Sequence, residues 1–282
     1  MVLRVSALSP EKLCSRLQFS PVKLTLNFIT LAIAVATALA NPLVVTSSPH
    51  DEINWSKHHL ANHGFLPRNG MNITIPVVLQ GSFDGFNIPT KELLFAAEAS
   101  VFTSDLLDQF SLNDIKLHGN IEHDASLSCV DHGLGDNAIF NSSIYATLAS
   151  SNPGVDYYNA TSAGQVQKER LAHSLANNPN VTNTIKEILI RTRESMFYLY
   201  GMEGEAGTGK VPKKLVDIFF REERLPLEEG WKRPGPFLDE NIDPILAEIF
   251  RASEWTPIEG QCPWFTLAPG GTTNPVRDGT IL

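Results

Sequence analysis

The apolar positions of this chain recur with helical spacing over most of its length. The clearest stretch runs from Thr184 to Tyr200, where Ile185, Ile188, Leu189 and Thr192 fall on one stripe, as an amphipathic helix requires. Pro89-Thr90 opens a second helix through Ala96, Ala97 and Val101 towards Phe110, with proline near the first turn, where its missing N–H costs nothing. Further helices are predicted around residues 138–150 and over residues 166–177, the latter ending before Pro179. Two more, Pro212 to Glu223 and Pro244 to Glu254, each begin at a proline. A short helix over Trp55 to Asn62 stops at Gly64. Residues 64–88 are rich in Gly, Pro and Asn and read as a long ordered loop, and the tail from Pro257 is rich in proline and glycine. Runs of alternating apolar and polar residues are scarce. The pattern predicts a mainly α fold in a single domain.

At 282 residues the chain is long enough to bury a sizeable core. Its net charge of −9 argues against a general nucleic-acid binder. The N-terminus has a different character. Arg4, Lys12, Arg16 and Lys23 precede an apolar run from Leu24 to Leu39, and Ala38-Leu39-Ala40 is a small-residue cleavage site. Residues 1–40 therefore read as a signal peptide and residues 41–282 as the mature domain, secreted and with no membrane attachment after cleavage; an uncleaved anchor is the alternative. Removing the leader takes the charge from −9 to −12. Export fits the cysteines: Cys14 leaves with the leader, and Cys129 and Cys262 remain. They pair with each other, or Cys262 pairs between chains in a disulfide-linked dimer, or both are separate buried thiols in a monomer. Sequons at Asn54, Asn72, Asn141, Asn159 and Asn180 also agree with export.

The densest chemistry lies in Ile121-Glu122-His123-Asp124-Ala125-Ser126. Glu122, Asp124 and Ser126 offer the oxygens that Mg²⁺, Mn²⁺ and Ca²⁺ prefer. His123 titrates near neutrality, and an adjacent Asp124 can orient it and raise its basicity. The structural alternative is a helix N-terminus, with Asp124 or Ser126 as cap and Glu122 favoured by the dipole. Glu194 is a second candidate acid. It stands beside Met196 and Phe197 in an apolar helix, where desolvation raises a carboxyl pKa towards the range useful for proton transfer. The alternative, which the sequence alone favours, is a surface ion pair with Arg191 or Arg193. The segment Gly204-Glu205-Ala206-Gly207-Thr208-Gly209-Lys210 resembles a phosphate loop, but Val211 replaces the required Ser/Thr and no strand precedes it. It reads as a flexible loop.

Four blocks together resemble the secreted fungal heme-thiolate peroxidases, the family of chloroperoxidases and short unspecific peroxygenases. They are Leu60-Ala61-Asn62-His63-Gly64-Phe65-Leu66-Pro67-Arg68, then Ile121 to Ser128, then the Glu194-Ser195 helix, then Ile218 to Pro226 running on to Gly230-Trp231. The resemblance covers roughly Leu60 to Trp255 and implies a helical heme-peroxidase fold of the chloroperoxidase type. It implies heme b, with hydrogen peroxide and small organic molecules as substrates. It implies that Glu122 and Ser126 bind Mg²⁺ or Mn²⁺ with a heme propionate, and that His123 orients Glu194. Glu194 would then move a proton between the oxygens of peroxide.

One feature departs from the family. Counting back from His63 places Asn54 where the family has its iron-ligating cysteine, with Ile53 and Trp55 in place of the flanking prolines. A carboxamide cannot supply the electron push of a thiolate. His58 or His59, about one helical turn on, is an alternative axial ligand, since imidazole ligation is ordinary in peroxidases; equally, both are exposed helix residues. Three accounts stay open. The chain binds heme through another group, or it is a non-catalytic binding protein on the same scaffold, or the natural chain carries a different N-terminal segment with the cysteine.

Overall fold

The computed structural model describes residues 59–204, 207–261 and 263. Asn54, His58 and Cys262 lie outside the described residues, as do the leader and most of the C-terminal tail. The order is α1 (His59–Asn62), β1 (Ile73–Thr74), α2 (Ile75–Phe86), α3 (Thr90–Val101), β2 (Gln109–Phe110), α4 (Ser142–Ala149), β3 (Tyr157–Tyr158), α5 (Ala160–Asn177), α6 (Ile185–Glu203), β4 (Val211–Pro212), α7 (Lys213–Glu222) and α8 (Asp239–Ser253). The strands form two antiparallel pairs, β1 with β2 and β3 with β4. The mainly α expectation holds.

α6 is the central element. Its start is fixed by a capping box: the Thr184 hydroxyl accepts from the backbone of Lys186, and Glu187 reaches back to the Thr184 backbone N–H at 2.8 Å. Nearly every side chain from Lys186 to Glu203 is buried, because α6 is enclosed on several sides. On its inner face Phe197 meets Phe86 edge-on at 4.9 Å between ring centroids, and Phe86 also meets Phe219 and Trp231 edge-on. Full burial of each such ring contributes about 2 kcal/mol. Trp231 is held in register by its indole N–H, which donates to the Gly201 carbonyl at 2.8 Å. α5 packs closely on α8. A Cβ at Gly164 would lie 2.5 Å from the Ala252 Cβ and 2.5 Å from the Ile249 carbonyl, so only glycine permits that approach.

Two expectations are corrected. Residues 64–88 read as a loop in the sequence, yet most of the second half is α2. Its glycines are packing residues rather than turn residues: a Cβ at Gly81 would lie 2.3 Å from the Phe65 carbonyl, and one at Gly85 would lie 2.4 Å from Leu60. Pro76 sits in the first turn, where helices tolerate it. α8 begins at Asp239 rather than at Pro244, which is internal. Asp239 and Glu240 in its first turn interact favourably with the helix dipole. Among the described residues no helix is long and apolar enough to cross a membrane.

The loop that resembled a phosphate site is already filled. The Glu203 carboxylate accepts from the backbone N–H groups of Thr208, Gly209 and Lys210 and, at 2.5 Å, from the Thr208 hydroxyl. The chain's own anion occupies the nest, which closes the phosphate reading on physical grounds.

Candidate active site

The four sequence blocks meet in two pairs. In the first, the Asn62 amide donates to the Glu223 carbonyl at 3.0 Å, and the Leu225 N–H donates to His63 Nε2 at 3.1 Å. Arg68 closes the turn by donating to the Asn62 carbonyl at 2.7 Å. Thus α1 is tied to the segment after α7, some 160 residues on. His59 opens α1, the first described position after the segment that holds Asn54 and His58.

In the second pair, the acidic segment meets α6. Residues 119–131 form a loop whose shape is dictated from outside. Ala125 has φ +59, a left-handed conformation costly for a residue with a Cβ. It is held there because its N–H donates to Asp131 Oδ1 at 3.0 Å. The same carboxylate accepts from Ser174 at 2.9 Å and from Asn178 at 3.1 Å, fastening the loop to the end of α5. Arg170 of α5 donates to the Ser126 carbonyl at 2.9 Å. Lys186 of α6 donates to the Gly119 carbonyl at 3.0 Å and pairs with Glu187 at 3.0 Å.

These ties place His123 against Glu194. His123 Nε2 lies 3.5 Å from Glu194 Oε2, and both residues are buried. Neither atom has a hydrogen-bond partner. The surface ion pair that sequence favoured for Glu194 is therefore not formed; its carboxylate turns inward instead. Arg191 is buried too, one helical turn from Glu194, and its guanidinium donates to Asn183 at 2.9 Å. Burial pushes that guanidinium down to about 10, against the pull of Glu187, Glu194, Asp131 and Asp124.

Asp124 orients His123, but not through its carboxylate. His123 Nδ1 donates to the Asp124 backbone carbonyl at 2.8 Å, while Asp124 Oδ2 accepts from the Thr182 N–H at 2.9 Å. Because a carbonyl only accepts, the Nδ1 proton is fixed and Nε2 is left to face Glu194. Burial lowers the imidazole pKa, but the Glu194 carboxylate and the Asp124 carbonyl outweigh it and raise the net value above the ordinary one. Burial raises the Asp124 carboxyl as well.

Glu122 points away from this pair. Its Oε2 accepts from His118 Nδ1 at 2.6 Å, and the His118 ring stacks on His132 with centroids 4.8 Å apart. The Ser126 hydroxyl accepts from the backbone of Ser128 and Cys129, each at 3.3 Å, so it shapes a turn rather than capping a helix. Among the described residues no three His, Cys, Asp or Glu side chains converge as a metal cluster. A cavity of about 590 Å³ opens on the outer side of His118 and His132, with Met71, Leu106, Phe110 and Leu117 among its lining. Cys129 is buried with its thiol 3.8 Å from the Ser128 hydroxyl, and burial pushes it up to about 12. A thiol so reluctant to ionise is a poor stand-in for an absent thiolate.

Sequence reasoning missed His118, Asp131, Arg170 and Lys186. His118 lies just before the loop, four residues before Glu122, and Asp131 ends it, seven after Asp124, but a lone polar residue outside a helix carries no periodic signal. Buried Arg170 and Lys186 look like ordinary helix-surface residues until their carbonyl partners are known.

Two curated proteins resemble the chain. One is an aromatic peroxygenase of Cyclocybe aegerita, 26% identical over 210 residues, which cover 66% of this chain and 56% of that protein. The other is an aromatic peroxygenase of Coprinellus radians, 25% identical over 197 residues, covering 61% of this chain and 75% of that protein. The chain thus spans little more than half the length of the first. The family described as "Peroxidase, family 2" matches residues 58–236, which take in both pairs of blocks. With that match over more than half of its length, the chain belongs to peroxidase family 2.

Proposed function

We propose that this protein is a secreted heme peroxidase or peroxygenase that uses hydrogen peroxide to oxidise or oxygenate small organic substrates. The observation that carries this reading is the His123–Glu194 pair, two buried polar atoms 3.5 Å apart with no other partner. Orphaned buried polar atoms are costly, and a ligand bound beside them removes that cost. The donor set therefore fits a group seated against α6. Heme b, when bound, would supply the redox chemistry.

The protein's own part is to handle the proton. Glu194 Oε2 would take a proton from one peroxide oxygen and return it to the other. His123 holds Glu194 in place through Nε2, and its own tautomer is fixed by the Asp124 carbonyl. Burial keeps bulk water from competing for that proton. Glu122 and Ser126 would hold Mg²⁺ or Mn²⁺, since their oxygens suit hard cations. The cavity beside His118 has the volume of a small-molecule site. His58 or His59 would hold the heme iron in place of the thiolate that Asn54 cannot provide. Residues 1–40 are the leader and 41–282 the heme haloperoxidase-like domain, acting as a monomer or as a dimer linked through Cys262.

Asn54 supports a second reading, a non-catalytic binding protein on the same scaffold. Absorption spectra of the purified protein separate the readings. A Soret band, with a CO band at the usual histidine position after reduction, is the expected result. A strongly red-shifted CO band would mean a thiolate and overturn the histidine assignment. A folded, colourless protein that heme does not restore would overturn the enzyme reading.

A further inference from the structure

Three tyrosines lie together in the core: Tyr145 on α4, Tyr158 on β3 and Tyr198 on α6, each at most 1% exposed. Tyr198 stands one helical turn beyond Glu194. Its ring meets that of Tyr158 edge-on at 6.1 Å between centroids, and Phe220 bridges the remaining gap, 6.2 Å from Tyr198 and 5.2 Å from Tyr145. An aromatic path thus runs from the candidate acid/base outward to α4.

The three phenols differ in one respect. The hydroxyls of Tyr158 and Tyr198 are buried with no hydrogen-bond partner. The Tyr145 hydroxyl donates to Asp217 Oδ1 at 2.7 Å. Asp217 in turn reaches the surface of α7, where its side chain is 40% exposed beside Arg221. This difference matters because a phenol that loses an electron becomes a strong acid and must release its proton. Only Tyr145 has a base in place to take it. The Arg221 guanidinium, 4.7 Å over the Tyr145 ring, would oppose a ring left positively charged, but not a neutral radical whose proton has moved to Asp217.

We propose that Tyr145 and Asp217 form a one-electron oxidation station through which phenolic or aromatic-amine reductants too large for the interior are oxidised at the surface of α4 and α7. Tyr145 gives one electron inward to the peroxide-derived oxidant that bound heme would supply, which is reduced by one equivalent. The O–H proton passes to Asp217, leaving a neutral phenoxyl radical and a protonated carboxyl. A reductant at the surface then returns one electron, Asp217 returns the proton, and Tyr145 is restored. The reductant leaves as a radical, a phenol having released its own proton to water. The inference rests on the peroxidase reading, because that reading supplies the oxidant.

Two experiments test it. In the first, the protein without added heme is oxidised by photogenerated ruthenium(III) tris-bipyridine with a sacrificial acceptor, frozen, and read by electron paramagnetic resonance. A tyrosyl signal is expected that is lost in Tyr145→Phe, falls at least tenfold in Asp217→Asn, and is kept in Tyr200→Phe. An unchanged signal in Tyr145→Phe, with the circular dichroism of the native fold, overturns the station. In the second, the holoenzyme and peroxide are given a free phenol and the same phenol coupled to a polymer. Tyr145→Phe is expected to lower the ratio of polymer to free-phenol turnover at least tenfold, and an unchanged ratio overturns the proposal. Absence of heme or of all peroxide turnover would sink the peroxidase reading instead, and the first experiment would still decide whether Tyr145 is the oxidisable site.

Discussion

His123 Nε2 faces Glu194 Oε2 across 3.5 Å of buried space, and neither atom has another partner. The imidazole is fixed from behind by the Asp124 carbonyl, so the geometry concentrates on one carboxylate oxygen. If that oxygen moves the peroxide proton, Glu194→Gln should lower peroxide turnover by about 10²–10⁴-fold, the usual worth of a positioned general acid/base. The amide is nearly isosteric, so heme content should not change. Stopped-flow mixing with peroxide, with the Soret band as loading control, measures both. Turnover at the wild-type rate would remove Glu194 from the mechanism.

Asp131 is the fastener of the acidic loop. It is 1% exposed and takes hydrogen bonds from Ala125, Ser174 and Asn178. Asp131→Ala leaves three buried donors without their acceptor and releases Ala125 from its left-handed conformation. The expected loss of stability is about 3 kcal/mol, read as a lower urea midpoint. A loss near zero would mean that Arg170, Lys186 and Thr182 hold the loop without it.

The way these ties are made explains what was legible in the sequence. α6 could be read because its periodicity, its Thr184–Glu187 box and its apolar face all agree. The candidate pair could be read because Glu122-His123-Asp124 and Glu194 belong to blocks specific in type and order. The direction of Glu194 could not, since Arg191 and Arg193 offered plausible partners and only packing shows that the carboxylate turns inward. α2 was missed because Gly81 and Gly85 look like turn residues, and their closeness to Phe65 and Leu60 exists only in three dimensions. The same holds for Asn62 and His63, whose partners Glu223 and Leu225 lie 161 and 162 residues away.

His118 competes for the carboxylate proposed to hold a cation. Its Nδ1 donates to Glu122 Oε2 at 2.6 Å, so a cation binding there must displace the imidazole or share the oxygen. A hydrogen bond to a charged group is worth about 1.5 kcal/mol, which corresponds to about tenfold in affinity. His118→Ala should therefore bind Mn²⁺ about tenfold more tightly, as measured by titration with detection of the free ion. Weaker binding in the variant would instead make His118 a supporting residue of the cation site.

His63 makes the tie between α1 and the segment after α7 sensitive to acid. Its Nε2 accepts from the Leu225 N–H, which requires that nitrogen to be unprotonated. Burial, then the charges of Arg68 and Arg224, hold the imidazole below its ordinary value. A depressed histidine pKa means that the unfolded chain takes up the proton first as pH falls. The contribution of His63 is thus complete above the ordinary histidine value, about 6.5, and is lost as pH falls through the lower value of the folded state. Taken alone, that loss lowers the urea midpoint as pH falls below about 6.5. His118 and His123, both raised, act with the opposite sign, so the comparison that isolates His63 is with His63→Gln. Glutamine can still accept from Leu225 but does not titrate, so the wild-type midpoint should fall relative to that of the variant as pH drops. Parallel pH profiles in the two proteins would show that this tie does not sense pH.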